Sequence, residues 1–192
     1  MTVLFTPSAE LLPGYVAALE RGWSPDNLRP QAAAEQLALI GQDPDAFLAH
    51  QNDLEGNGPP VTLVDGSVAP RLPCLRRWIH KDGFAGRISL RWQPGTEALP
   101  PICLGHVGYA VVPWRRREGL ASAALIELLP SAHALGMSHV DLATDPDNPA
   151  SIGVIKNAGG LLVEEFEAPP QVGGGAHLLF RIELQASITS TT

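Results

Sequence analysis

Residues 111–122, VVPWRRREGLAS, place Arg115, Arg116 and Arg117 side by side in a chain whose formal charge is −7. Small residues that could open a helix follow at once. A strand that passes through a short turn into a helix N-terminus leaves several backbone N–H groups unpaired and aimed at one point. The helix dipole adds partial positive charge there, a combination that suits a phosphate. Gly119 and Ala121 would let the main chain approach such an anion closely, and arginines at the rim could pair with its remaining oxygens. The alternative for three adjacent arginines is a solvated surface face. The apolar strand before them, the Gly-x-Ala spacing and the acidic surroundings favour the anion cradle.

Proton transfer needs other side chains. In the strand expected over 103–112, alternation places His106, Gly108 and Ala110 on one face and Val107, Tyr109 and Val111 on the other. His106 titrates near neutrality and is the leading candidate for a general base. Its alternative is a histidine held in place by hydrogen bonds. His80 is a weaker candidate, Tyr109 reads as core, and His133 and His139 read as surface residues at a helix end.

The elements that must position these groups can be read from periodicity and punctuation. Residues 8–22 carry Leu11, Leu12, Tyr15, Val16 and Leu19 at helical spacing. A second helix is expected over 30–40, and a third from the Asp43-Pro44 start to about Leu54. From 61 onward strands dominate. A short strand over 61–64 precedes a hairpin, 75–80 and 84–92, turning at Lys81-Asp82-Gly83. The strand 103–112 leads into a helix over 119–135, in which Pro130 predicts a kink or break. A strand over 140–144 follows, then a helix opened by Asn148-Pro149 and closed by Gly159-Gly160. Strands over 161–166 and 177–184 come last, and the tail is expected to fray. This order predicts a mixed α/β (α+β) layer: a mostly antiparallel, twisted sheet with helices on both faces and extra N-terminal helices. Residues 1–60 would be a helical region of the same domain, 61–185 the core and 186–192 the tail.

At 192 residues the chain fits one domain. It can bury roughly 70% of the surface its unfolded form exposes. No apolar run approaches the length of a membrane span, and the opening MTVLFTPSAELLPG lacks the basic and apolar regions of a secretory signal. Cys74 and Cys103 read as free thiols. These features give the expectation of a cytoplasmic protein without membrane partners. The acidic balance argues against nucleic acid as a partner.

Arg116-Arg117-Glu118-Gly119-Leu120-Ala121 resembles [QR]-x-x-G-x-[GA], the pyrophosphate-binding signature of the GNAT superfamily of acetyl-CoA-dependent N-acetyltransferases. The flanking GHVGYAVVP, HVDLAT and DNPASIGVIKNAGG resemble the family's strand, second strand and Asn-led helix, so the likeness spans residues 75–168. It implies acetyl-CoA as cosubstrate and a primary amine of a small molecule or peptide as acceptor, with direct attack on the thioester. By resemblance, the amides of Arg117, Glu118, Gly119, Leu120, Ala121 and Ser122 hold the pyrophosphate, supported by Arg116 and Arg117. The main chain of Val111 and Val112 would pair with the pantetheine arm, an amide near Val111 would meet the thioester oxygen, and Asn148 would reach the arm or the strand end. Many members place a tyrosine seven residues after that asparagine to protonate the leaving thiolate. Here that position is Ile155, and Ser151, four residues earlier on the same helix face, is the candidate to hold a water near the sulfur. A homodimer stays open.

Other signatures are missing. The sequence has no G-x-x-x-x-G-K-[ST] loop, no H-E-x-x-H or Cys/His cluster for a metal, and no G-x-S-x-G. Two rival readings stand beside the enzyme: a catalytically idle acyl-CoA-binding module, and an anion- or nucleic-acid-binding protein that uses the arginine rim.

Overall fold

Asp-Gly at 82–83 fixes the first long hairpin. Asp82 and Gly83 both take positive φ (52° and 123°), so β4 (Cys74–His80) and β5 (Phe84–Arg91) pair antiparallel across them. The computed structural model describes residues 3–184, and the tail that was expected to fray lies outside them. Before the hairpin come β1 (Leu4–Phe5), the helices α1 (Leu12–Glu20), α2 (Ala32–Gln42) and α3 (Pro44–Ala49), and a small ribbon of β2 (Val61–Thr62) with β3 (Val68–Ala69). After it come β6 (Val107–Val111), a 3₁₀ turn (Pro113–Arg115), α4 (Leu120–Ala134), β7 (His139–Thr144), α5 (Pro149–Asn157), β8 (Leu161–Glu167) and β9 (Ala176–Glu183). The ladders form one sheet of order β1-β4-β5-β6 and another of order β7-β9-β8, all antiparallel.

Neighbouring residues of β4 show why helices cover both faces. Ile79 points to a core shared with Ile88, Leu90, Leu125, Leu128 and Ile155, on the side of α4 and α5. Trp78 points the other way, into Tyr15, Trp23, Phe47 and Phe84 on the side of α1 and α3. There Tyr15 stacks on Trp78 with centroids 4.7 Å apart and meets Phe84 edge-on at 5.3 Å. The N-terminal helices therefore complete the sheet's second face.

Several expected boundaries shift for local reasons. The first helix begins at Leu12, with Pro13 in its first turn. In α3 the Asp43 carboxylate caps Ala46 N–H at 2.9 Å as the sequence implied, yet the helix stops at Ala49. Residues 103–106 lie outside β6. Pro130 does not interrupt α4. Its missing N–H would have bonded the carbonyl of Ile126, and both residues are exposed, so water can serve that oxygen.

Candidate active site

β6 and β7 are joined by the crossover helix α4, and they touch at one end. His106 N–H donates to Asp141 O at 2.7 Å, and Gly105 packs so tightly on β7 that an added Cβ would lie 3.0 Å from Asp141 O. Beyond this root the two strands share no ladder, and they splay apart toward the 3₁₀ turn and α5.

The β5–β6 register decides which main-chain groups face the splay. Arg91 N–H donates to His106 O at 2.8 Å and Val112 N–H to Ala85 O at 2.9 Å. Both residue pairs are therefore hydrogen-bonded pairs, and antiparallel alternation turns the N–H and C=O of Val107, Tyr109 and Val111 away from β5. Two side chains reach these outward carbonyls: Arg116 Nε meets Val111 O and Asn27 Nδ2 meets Tyr109 O, each at 3.4 Å. Val111 thus presents its main chain to the gap. Val112 does not: its amide is committed to Ala85 and its side chain is fully buried with α1. Tyr109 takes its place, two residues back on the same edge.

At the wide end the chain makes an unusual turn. Arg117 adopts a left-handed backbone, φ 68°, and Gly119 follows with φ 74° as the residue before α4. Among the described residues nothing accepts from the amides of Arg117, Glu118 and Gly119, and no side chain caps α4. With the first helical amides of Leu120, Ala121 and Ser122 this makes a row of free donors at a positive helix end. Arg115 is used otherwise. Its guanidinium holds Glu118 through two 2.8 Å bonds and donates to Lys81 O at 2.9 Å, tying the turn to the β4–β5 hairpin. This pairing holds Glu118 below the usual carboxylate range. Trp114 receives Arg21 over its ring at 3.8 Å, tying the same turn to the end of α1. Arg116 and Arg117 remain exposed at the rim.

The proton-carrying candidates rearrange. His106 is 1% exposed. Its Nδ1 accepts from Asp141 N–H at 2.9 Å, so the proton sits on Nε2, which donates to Glu97 O at 3.2 Å. Burial holds the ring below its ordinary pKa, against the opposing charge of Asp141. With both nitrogens spent on backbone, His106 has none to offer a substrate; it clamps the root of the splay. Asn148 caps α5, its Oδ1 accepting from Ser151 N–H at 3.0 Å. Ser151 Oγ lies 3.0 Å from Tyr109 Oη. Burial raises the Tyr109 phenol above its ordinary value, with the Ser151 bond opposing, so the hydroxyl keeps its proton. Sequence reasoning had read Tyr109 as core. The available signal was its place on the strand face that turns toward the Asn-led helix.

The model of the GNAT acetyltransferase domain family matches residues 21–160. Among curated proteins none matches the sequence. Among solved structures the chain is similar to RimL, a ribosomal alpha-N-protein acetyltransferase in complex with coenzyme A, with TM-score 0.62 and 15% identity over 96% of each chain. It is also similar to the microcin C7 self immunity acetyltransferase MccE in complex with acetyl-CoA and AMP. There the TM-score is 0.60 at 11% identity, over 94% of this chain and 91% of that one. RimJ of Mycobacterium smegmatis, in complex with CoA-disulfide, gives 0.58 at 18% identity over 98% and 84%. Identities this low speak for the fold alone. The family match spans well over half the sequence, and the chain belongs to the GNAT acetyltransferase family.

Proposed function

We propose that the protein transfers the acetyl group of acetyl-CoA to a primary amine by direct attack. The observation that carries this is the row of unpaired amides from Arg117 to Ser122, closing one end of a splay whose edge is the outward main chain of Tyr109 and Val111. The pyrophosphate fits the amide row, with Arg116 and Arg117 at its rim. The pantetheine arm fits the unpaired strand edge, as an added strand would. An outward amide of β6 then meets the thioester oxygen as charge develops on it.

In the reaction the amine nitrogen bonds to the thioester carbon, the carbon–sulfur bond breaks with its electron pair on sulfur, and the proton the amine loses passes to solvent water. Tyr109, oriented by Ser151, is the donor that protonates the thiolate. This reassigns the role that the sequence gave to Ser151, which here acts on the phenol. Acetyl-CoA titration followed by free-thiol release over an amine panel tests the reading. Tyr109→Phe should lower kcat by about 100-fold or more, within the usual range of general acid catalysis, and change acetyl-CoA affinity less than threefold. Unchanged kcat would remove Tyr109 from the mechanism. Binding without turnover on any amine would favour the idle acyl-CoA module.

A further inference from the structure

Three arginines lie together on the sheet face opposite α4, and acetyl-CoA binding does not use them. Register places Arg76 of β4 directly across from Ser89 of β5, which lies between Arg87 and Arg91 on the same face. Arg76 is thus the diagonal neighbour of both, at a spacing within reach of long side chains. Their partners are neutral. Arg76 Nη1 donates to Gln51 Oε1 at 3.1 Å, Arg87 Nε to Pro25 O at 2.6 Å, and Arg91 Nη2 to Gly105 O at 3.4 Å. Among the described residues none of the three forms a salt bridge, although Asp26 lies close enough to favour the charge on Arg87. The Nε atoms of Arg76 and Arg91 are buried without an acceptor. Burial, and then the charge of Arg76, lowers Arg87 to about 10.

Like charges set side by side in a sheet destabilise it, and a buried guanidinium without a counter-charge is costly. The arrangement becomes favourable when an anion joins it. Its position says which anion. β6 lies beside β5 on this face, with Ala110 buried among the side chains of the N-terminal helices and Gly108 half-buried. A Cβ at Gly108 would come 3.0 Å from Arg91 Nη2, so the guanidinium lies directly over that residue. Gly108 adjoins Tyr109, whose outward edge borders the splay. The connection between α1 and α2 arches over the same place, tied by Arg87 to Pro25 and by Asn27 to Tyr109.

Resting on the acetyl-transfer reading, the geometry points to an acceptor that carries an anionic group, a carboxylate or phosphate, held by Arg76, Arg87 and Arg91 while its amine reaches the splay beside Gly108. The guanidinium donors match carboxylate and phosphate oxygens alike.

Two matched pairs of probes separate the sources: alanyl-glutamate amide against alanyl-glutamine amide, and O-phosphoethanolamine against ethanolamine. Each is added to the coenzyme A-saturated protein for thermal shift, and to acetyl-CoA for thiol release. In at least one pair the anionic member should raise Tm more and react with at least tenfold higher kcat/KM. Arg91→Gln and Arg87→Gln should each remove about 10- to 100-fold of that preference, as loss of a charge-assisted bond does. Neutral amines and acetyl-CoA affinity should be unaffected. Arg87→Lys, which keeps the charge, should retain part of the preference and guards against misfolding in the Gln variant. Equal behaviour within both pairs, or a preference that survives both Gln variants, would overturn the assignment. The thermal shift needs no turnover, so a failure of acetyl transfer would appear in the thiol assay alone.

Discussion

Tyr109 and Ser151 stand 42 positions apart in the sequence, yet their hydroxyls meet at 3.0 Å where the splay opens. His106, three residues before Tyr109, is drawn the other way, into contacts with Asp141 and Glu97. Alternation assigned the two to opposite faces of one strand, but His106 lies just before β6, and both residues bond partners supplied by distant segments, which local pattern does not reveal. The clamp role of His106 has a pH signature. Its folded pKa is depressed below 6.5, so the unfolded chain binds the proton more readily. The stability it contributes is full above pH 6.5 and is lost as pH falls through the depressed value. Thermal unfolding from pH 8 to 5 should show this loss. His106→Gln should lower stability at pH 8 by about 1–3 kcal/mol, the cost of a disrupted buried hydrogen bond, and flatten the slope below 6.5. A stable variant that instead lost the rising limb on the acidic side of the rate profile would restore His106 as the base.

At the scale of elements, the β5–β6 ladder sets the binding edge. Gly86 lies opposite Val111 with φ 152°, and a Cβ there would sit 2.3 Å from Ala110 O and 2.9 Å from Val111 Cα. Any side chain must push β6 away. Gly86→Ala should therefore destabilise the fold by about 1–3 kcal/mol, read as a drop in Tm, and weaken acetyl-CoA binding although it touches no ligand. Normal affinity would mean that the strand edge does not hold the pantetheine arm. The hairpin, the crossover and both ends of α5 were legible because Asp-Gly, Asn-Pro and Gly-Gly act locally. Which strand amides are free was not, since that depends on register with β5: the amide of Val112 bonds Ala85, while that of Tyr109 turns away from β5.

Over the whole molecule, the sheet works because both faces are packed. The family match begins at residue 21, inside the N-terminal stretch that the likeness at residues 75–168 left unexplained. The amphipathic spacing of residues 11–19 announced a buried face, and Tyr15 lies against Trp78, Phe84 and Phe47. Trp78→Ala would remove the centre of this cluster. It should cost about 3–5 kcal/mol and be seen as a lower urea midpoint with little change in slope. A loss under about 1 kcal/mol would mean that the N-terminal helices contribute little to the fold.

The central claim is that the turn before α4 holds the pyrophosphate of acetyl-CoA, and Ala121→Asp tests it by calorimetry. Ala121 lies in the first turn of α4, where a carboxylate ordinarily stabilises the helix through its dipole. Thermal stability should therefore hold or rise, while bulk and charge keep the phosphates away. Each lost charge-assisted bond is worth about 1.5–3 kcal/mol, so acetyl-CoA affinity should fall by roughly 100-fold or more. A well-folded Ala121→Asp protein that binds acetyl-CoA as tightly as the parent would contradict the account.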